Sequence, residues 1–382
     1  MHILDELNWR GLLHQTTGGD ELREHLDTDG RVAYCGFDPT KDALTIGNYM
    51  PIKLLRHWQL TGHKPIILMG GGTGLIGDPS GKDAERMLLT ADQVAANIEG
   101  QCRSFEKVLD FDGENAAVIV NNADWLCDLG FIDVLRDVGK HFSVNTMIPK
   151  DSVKDRLHNR EQGISYTEFS YMVLQAYDFL HLRRTQDCTI QMAGSDQYGN
   201  IVAGIDLIRR DMADVSEGEF RGAGITAPLV TASDGSKIGK TEEGAIWLTE
   251  DRTSPYAFHQ YWLNVPDEDA GTFLRWFTFL DQASIESIES SHASEPHMRA
   301  AQHALADEMT RTIHGQQEVD RCNDAAQALF GGNVASLDDQ MLDEVFAEVP
   351  ASEFAKANLG GDAASLVELL PQTELCKSKR EA

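Results

Sequence analysis

The chain has 382 residues, 42% hydrophobic and 25% charged, with 61 acidic against 33 basic side chains and a net charge of −28. The apolar content excludes a disordered chain, and the length points to two to three domains. No uncharged apolar run approaches the roughly 18 residues of a membrane span, and the acidic balance argues against nonspecific nucleic-acid binding and against DNA as a partner.

Six cysteines (Cys35, Cys102, Cys127, Cys188, Cys322, Cys376) are scattered, with no CxxC and no zinc spacing. Free thiols, a reducing cytoplasmic compartment and no structural metal are expected. The opening Met-His-Ile-Leu-Asp-Glu-Leu lacks the basic start and apolar core of a signal peptide.

In chain order, residues 1–30 predict one or two helices, with Leu4, Leu7, Leu12, Leu13, Leu22 and Leu26 at helical spacing. The run from Val32 to Phe37, closed by Asp38-Pro39-Thr40, predicts a strand ending in a turn. A helix over about Gly47–Thr61 and a second buried strand over Pro65–Gly70 complete a parallel crossover. Ala116–Val120 and Thr189–Met192 are further strand candidates, giving an α/β, mostly parallel sheet. After about residue 245 strand-like runs stop, and helical periodicity from Ser254 to Phe330 predicts a separate α-helical domain. The Gly/Asp/Glu/Ala-rich stretch after Gly331 suits a linker, and Leu366–Leu370 opens another unit.

Four motifs carry chemistry. Gly72-Thr73-Gly74-Leu75-Ile76-Gly77 matches the dinucleotide-binding G-x-G-x-x-G, but Asp78-Pro79-Ser80-Gly81 follows at once and breaks the helix that should hold a pyrophosphate. Gly81-Lys82 is no phosphate-binding loop, since Ile76 stands where its first glycine belongs and Asp83 replaces Ser/Thr. Lys237-Ile238-Gly239-Lys240-Thr241 puts two lysines and a hydroxyl around a glycine, which suits a mobile phosphate clamp; the alternative is a solvated surface turn. Tyr171, Gln175 and Asp178 share one face of a helix apolar nearly all round, so Gln175 and Asp178 either bond to each other and the backbone or line a polar pocket. Gly194-Ser195-Asp196-Gln197 follows a strand where open α/β sheets bind ligands, with a helix N-cap by Ser195 or Asp196 as the plainer reading.

Taken together, these motifs resemble the bacterial tyrosyl-tRNA synthetases, class I aminoacyl-tRNA synthetases. The matching blocks are Tyr34-Cys-Gly-Phe-Asp-Pro-Thr40, Gly70 to Ser80, Gly139-Lys-His-Phe-Ser-Val-Asn145, Gly163 to Tyr171, Gln175-Ala-Tyr-Asp178, Gly194 to Asn200 and Lys237 to Thr241, in the family's order over about residues 1–330. The resemblance implies a Rossmann-like catalytic domain over 1–230 with a dimer-forming insertion at 125–165. A mobile lysine loop at 231–245, an α-helical anticodon-binding domain at 246–330, a linker at 331–365 and the truncated start of an S4-like RNA-binding domain at 366–382 would follow. It implies a homodimer that joins L-tyrosine to ATP, releasing pyrophosphate, and then charges tRNA(Tyr).

By matched position, Tyr34 and Asp178 would bind the phenol hydroxyl, and Asp78, Tyr171 and Gln175 the α-ammonium. Gln197 would lie near the substrate carboxylate. Asp196 would bind the ribose hydroxyls and Asp38 would lie by the α-phosphate. Gly36, Gly47 and Gly194 would admit the nucleotide. Thr40, Lys82, Arg86, Lys237, Lys240 and Thr241 would gather at the pyrophosphate and its Mg²⁺. No general base is needed, because a carboxylate nucleophile is already ionised; positioning and charge stabilisation suffice.

Two departures stand out. The family's His-Ile-Gly-His signature reads Thr45-Ile46-Gly47-Asn48 here, so Thr40, Lys82 and the lysine loop are expected to carry more of the pyrophosphate stabilisation than Thr45, while Asn48 can still donate. Residues 261–370 hold 20 acidic and 5 basic side chains, a net of −15. Candidate basic contacts to tRNA therefore lie at Lys150, Lys154, Arg156, Arg160, Arg209 and Arg210, and tRNA charging is expected to be poor. The competing readings are a tryptophanyl enzyme of the same fold, a synthetase-derived RNA-binding protein without catalysis, and an oxidoreductase that binds NAD.

Overall fold

The computed structural model describes residues 2–78, 89–150, 153–154, 163–213, 219–233, 235, 238–241, 244–329, 334, 337–346, 352, 354, 366–373 and 376–381, with Lys240 and Thr241 as backbone only. Residues 1–319 form one compact unit and 320–382 another.

In the larger unit, helices α1 (Ile3–Trp9) and α2 (Gly19–Leu26) flank the two-residue strand β1 (Gln15–Thr16). Then come β2 (Val32–Phe37), α3 (Ile46–Leu60), β3 (Lys64–Met69), α4 (Ala91–Phe105) and β4 (Val118–Asn121). A long helix α5 (Tyr166–Gln186) leads to β5 (Cys188–Gly194), α6 (Tyr198–Asp211) and β6 (Ala223–Ala227). The six strands pair in the order β1-β6-β5-β2-β3-β4, all parallel except β1. The chain runs outward from β2 through β3 to β4, then restarts at β5 on the other side of β2. The point where the order reverses lies between β2 and β5, and ligands of open parallel sheets bind there, outside the carboxyl ends of the strands.

The four strands and the Gly47–Thr61 helix expected in the first 200 residues lie within two residues of their expected bounds, while Leu12 and Leu13, expected at helical positions, fall between the two N-terminal helices. Two strands of this sheet, and a short hairpin further on, were not foreseen. Gln15–Thr16 is too short to carry a pattern, and Ala-Gly-Ile-Thr-Ala of β6 contains a glycine and two alanines that mute the strand signal.

Beyond residue 240 a two-strand hairpin, β7 (Lys240–Thr241) with β8 (Gly244–Ala245), precedes helices α7 (Pro255–Leu263), α8 (Asp267–Phe277), α9 (Gln282–Ser294) and α10 (Ala300–His314). Their apolar faces continue the core that α1, α3 and the sheet build: Leu7, Tyr49, Trp58, Phe258, Trp262, Phe277 and Met309 belong to one cluster. A second cluster, with Tyr34, Met172, Phe179 and Ile208, lies where α5 and α6 meet the sheet. Helix α11 (Gln316–Leu329) crosses into the smaller unit, where Asp338 caps the short helix α12 (Asp339–Val345) inside the stretch expected as linker. Residues Leu366–Leu369 form a single turn.

Candidate active site

The crevice at the switch point is built from loop residues whose spacing the backbone enforces. Gly36 closes β2 with its Cβ direction opening on empty space, so the backbone there can meet a ligand. The end of β3 comes so close to its neighbours that a Cβ on Gly70 would stand 2.4 Å from Asp38 Oδ1, and one on Gly71 2.1 Å from Asn121 Oδ1. A side chain at either position would force these polar groups aside. In the G-x-G-x-x-G run itself a Cβ on Gly72 would lie 3.2 Å from Leu126 and one on Gly74 3.0 Å from Pro39, so the run packs closely in a short 3₁₀ turn, Thr73–Leu75, rather than starting a dinucleotide helix.

At the bottom of the crevice Tyr34 and Asp178 are each 1% exposed. Among the described residues the buried Tyr34 hydroxyl has no hydrogen-bond partner. Both oxygens of Asp178 accept bonds, from Asn122 Nδ2 at 2.9 Å and Trp125 Nε1 at 2.8 Å. Asn122 is in turn fixed: its carbonyl oxygen accepts the Gly72 N–H at 2.7 Å, and its amide also reaches Thr73 Oγ1 at 3.0 Å. Burial pushes the Asp178 carboxyl up to about 7, against the bonds from Asn122 and Trp125 that favour its ionised form. Among the described residues Asp178 thus bonds to Asn122 and Trp125 rather than to Gln175 or its own helix backbone.

Asn122 and Trp125 were not among the expected site residues. Asn122 follows the carboxyl end of β4, and the strand-end rule that singled out Asp196 applies to it equally. Trp125 needs the fold, because only the turn Ala123–Leu126 swings its indole under α5. Removing the Asn122 amide takes away a bond that favours the charged form, so the Asp178 carboxyl rises further. With Asn122→Ala, the titration midpoint of the Asp178 carboxyl, followed by its carbon NMR shift, should move about 1 to 2 pH units toward alkaline. An unmoved midpoint would show that the Asn122 bond does not tune this acid.

Above this acid lies a second polar group. Tyr171 donates to Asp38 Oδ2 at 3.0 Å, and Thr73 donates to Asp38 Oδ1 at 3.1 Å. Gln197 Nε2 donates to Asp78 Oδ2 at 2.8 Å and to Asp196 at 3.1 Å. Asn200 Nδ2 bridges Gln175 Oε1 at 3.0 Å and Gln197 Oε1 at 3.1 Å. Of the expected ammonium ligands, Asp78 and Gln175 are joined through Gln197 and Asn200, the latter not foreseen, while Tyr171 belongs to the Asp38 group. Burial and the nearby Asp38 and Asp78 carboxylates hold the Tyr171 phenol well above its ordinary range. Such a concentration of negative charge suits a bound cation. Neither Ser195 nor Asp196 caps the following helix: the N-cap of α6 is Gln197, whose side chain makes no capping bond. Asp196 stays exposed at the rim, and a Cβ on Gly194 would lie 2.6 Å from its Oδ1.

The third part of the crevice is the start of α3. Thr45 and Asn48 bond to each other there. The Asn48 carbonyl oxygen accepts from the Thr45 N–H at 3.1 Å and from its hydroxyl at 2.9 Å. This capping arrangement uses the Thr45 hydroxyl and leaves the Asn48 amide nitrogen without a bond among the described residues. Against this turn packs the lysine segment. Ile46 N–H donates to Ile246 O at 3.0 Å, Leu248 N–H to Leu44 O at 2.8 Å, and Ile246 N–H to Gly239 O at 2.9 Å. Gly239, with φ +76°, takes a bond from its own N–H to the Tyr261 hydroxyl at 2.8 Å. The segment is thus no solvated turn at Ile238–Gly239, which are both buried. Lys82, Arg86 and Lys237 lie outside the described residues, as do the side chains of Lys240 and Thr241. Thr40 is exposed at the crevice mouth.

The candidate RNA-contacting bases divide. Arg209 is exposed, Arg210 bonds the His141 carbonyl, and Lys150 donates to Gly199 O at 2.5 Å from a half-buried position. Arg156 and Arg160 lie outside the described residues.

A parallel sheet reversing at β2/β5, a buried acid at the base of the crevice, and a lysine segment packed on the first turn of α3 define the catalytic architecture of a class I synthetase. The family model described as tRNA synthetases class I (W and Y) matches residues 28–331, and the chain belongs to that family. A tyrosine–tRNA ligase of Rhodopirellula baltica is 48% identical over 380 residues, covering 100% of this chain and 85% of that protein; one from Staphylococcus haemolyticus is 47% identical over 380 residues, covering 87% of that protein. These identities put the chain in the bacterial tyrosyl branch. Among solved structures, a C-terminally truncated mitochondrial tyrosyl-tRNA synthetase of Aspergillus nidulans superposes with a TM-score of 0.77 at 29% identity, over 86% of this chain and 94% of that one. A tyrosyl-tRNA synthetase of Archaeoglobus fulgidus, solved with L-tyrosine, shares the fold at 15% identity with a TM-score of 0.60.

Proposed function

We propose that the chain is an enzyme that activates L-tyrosine with ATP, giving tyrosyl-adenylate and pyrophosphate, and then transfers the tyrosyl group to the 3′ end of tRNA(Tyr). The observation that carries this is the buried pair at the crevice base, an orphan Tyr34 hydroxyl beside an Asp178 carboxylate locked by Asn122 and Trp125. A phenol hydroxyl entering there can donate to Asp178 and accept from Tyr34. An indole offers no such para oxygen, which favours tyrosine over tryptophan. Phenylalanine would leave the Tyr34 hydroxyl buried and unpaired and would bring Asp178 no donor of its own, at a cost of about 1 to 3 kcal/mol.

Asp78, Tyr171 and Gln175 hold the α-ammonium, and Gln197 lies by the substrate carboxylate. That carboxylate attacks the α-phosphorus and pyrophosphate leaves; the terminal ribose hydroxyl of tRNA then attacks the acyl carbon and AMP leaves. Asp38 lies by the α-phosphate, and Asp196 binds the ribose, with backbone approach at Gly36, Gly47 and Gly194. Thr40, Lys82, Arg86, Lys237, Lys240 and Thr241 stabilise the charge that develops on the pyrophosphate. Mg²⁺ arrives with ATP on its phosphates.

The helices from residue 246 serve the anticodon end of tRNA, and residues 366–382 resemble the opening of an S4-like segment. A homodimer forms through residues 125–165. That reading is supported by the exposure of Phe131 (66%), Ile132 (69%) and Val144 (55%) on that insertion. The enzyme works in the cytoplasm; among the described residues, no helix is long and apolar enough to cross a membrane.

The test is ATP–pyrophosphate exchange. Tyrosine should drive it and tryptophan should not; no exchange with either would remove the enzymatic reading. Within that assay Lys82→Ala should slow activation far more than Thr45→Ala, because Thr45 already spends its hydroxyl on Asn48. Equal losses would show that Thr45 touches the phosphates after all.

A further inference from the structure

Helix α4 contributes no residue to the crevice, yet it grips the loop that leaves β2. Asn97, Gly100 and Gln101 stand at i, i+3 and i+4 and so form one stripe. Asn97 Nδ2 donates to the Pro39 carbonyl at 2.8 Å. Gln101 Nε2 donates to the Lys41 carbonyl at 2.8 Å and reaches the Asp38 carbonyl at 3.5 Å. Between them the loop backbone comes down onto Gly100, where an added Cβ would lie 2.0 Å from the Asp42 carbonyl oxygen. A glycine in a helix interior costs about 1 kcal/mol against alanine; here it admits the loop. From another direction Arg252 takes the Asp42 carboxylate in two bonds, at 2.5 and 2.6 Å. Successive loop residues are thus held from outside, while the Asp38 side chain turns inward to Tyr171 and Thr73.

We propose that Asn97 and Gln101, with Gly100 between them, are positioning residues for the adenylation step. They set the height of the 38–42 loop, so that Asp38 and Thr40 meet the nucleotide phosphates in the geometry of the transition state. The Tyr34–Asp178 pocket has its own bonds from Asn122 and Trp125 and meets the loop through the Asp38 side chain, by way of Thr73 and Tyr171. The stripe holds loop backbone and touches no tyrosine-binding side chain, so its loss falls on the chemical step more than on tyrosine affinity. This rests on reading the crevice as an ATP-dependent tyrosine site. A displacement of about 1 Å in such a loop is worth on the order of a hundredfold in rate.

The experiment compares Asn97→Ala, Gln101→Leu and Gly100→Ala with the unaltered full chain in single-turnover tyrosine activation, and follows amide hydrogen exchange over residues 39–43. Each variant should activate at least about tenfold more slowly, with the KM for tyrosine unchanged within about twofold. Loop amides should exchange faster in Asn97→Ala and Gln101→Leu. Unaltered loop exchange in both would overturn the grip. Unaltered activation despite faster loop exchange would overturn its role in the chemistry. A tyrosine KM rising in step with the lost rate would mark general loosening and overturn it equally. The hydrogen-exchange arm needs no substrate, so a wild-type protein inert with tyrosine and ATP would sink the functional reading separately from the grip.

Discussion

Asp178→Ala should cut kcat/KM for tyrosine activation by about a hundredfold or more, roughly 3 kcal/mol, while scarcely changing the weak activity toward phenylalanine. Truncation removes the one buried acceptor poised for a phenol hydroxyl and leaves the Asn122 amide and Trp125 indole donors facing an empty space. Tyrosine and phenylalanine then bind almost alike. Equal falls for both amino acids would mean that Asp178 is structural and does not read the hydroxyl.

The same variant has a pH signature in stability. The Asp178 carboxyl sits at about 7 when folded, against an ordinary value of 3.8 when unfolded. The folded state therefore holds its proton more tightly. The group's stabilising contribution is greatest below about pH 4 and is lost as pH rises to about 7, a loss of about 4 kcal/mol. Alanine abolishes that loss but orphans two donors at about 1 to 3 kcal/mol each. In thermal melts Asp178→Ala should thus be clearly less stable than wild type at pH 5 and close to it at pH 8. A pH-independent difference would contradict the raised pKa.

The second large effect is far from the crevice. Arg10→Ala should lower the melting temperature by on the order of 10 °C, from the about 3 to 5 kcal/mol typical of breaking a buried ionic network. Arg10 is 2% exposed and donates to three carbonyls just beyond or at the end of α8: Arg275 at 3.1 Å, Thr278 at 3.0 Å and Leu280 at 2.6 Å. Its Nε also pairs with Glu6 at 2.6 Å. From α3, Tyr49 donates to the Phe277 carbonyl at 3.2 Å, and buried Lys53 donates to Thr278 with its ammonium 4.8 Å over the Phe279 ring. Cations and hydroxyls of α1 and α3 thus satisfy carbonyls that a helix end cannot pair by itself. Arg10→Lys cannot span three acceptors and should recover only part of the loss. A melting temperature for Arg10→Ala within about 2 °C of wild type would show that water replaces the guanidinium without cost.

Much of the site was legible because it follows local rules. Asp38, Asp196 and Gln197 lie just beyond strand ends in crossover units, with Tyr34 inside β2 and Asp78 after the 3₁₀ turn that follows β3, and strand ends show in an apolar run closed by Gly, Pro or Asp. Tyr171, Gln175 and Asp178 were readable from one helix because polar residues on an all-apolar helix must find partners. Asn122, Trp125 and Asn200 were not singled out. Their roles depend on which loop lies opposite them, and neither a period nor a spacing records that. The α4 stripe escaped for the same reason: Asn97, Gly100 and Gln101 read as ordinary residues of an amphipathic helix until the loop is seen resting on them.

The helices after residue 254 make the same point about packing. Their periodicity announced helices, and the change of character near residue 245 announced a new part of the chain. That Phe258, Trp262 and Phe277 share a core with Tyr49 and Trp58 could not be read, since an apolar stripe states that it must be covered and leaves open by what. Chain chemistry by itself determined the parallel sheet and which polar residues need partners, because strand runs and hydrogen-bonding demand follow from neighbouring residues; the class of ligand came from the resemblance of the combined motifs. Tertiary structure alone decided which donors meet the acid in the crevice, how the 38–42 loop is held and how the helical part is fastened. Each of those depends on side chains dozens to hundreds of residues apart meeting within about 3 Å, the reach over which a hydrogen bond exists at all.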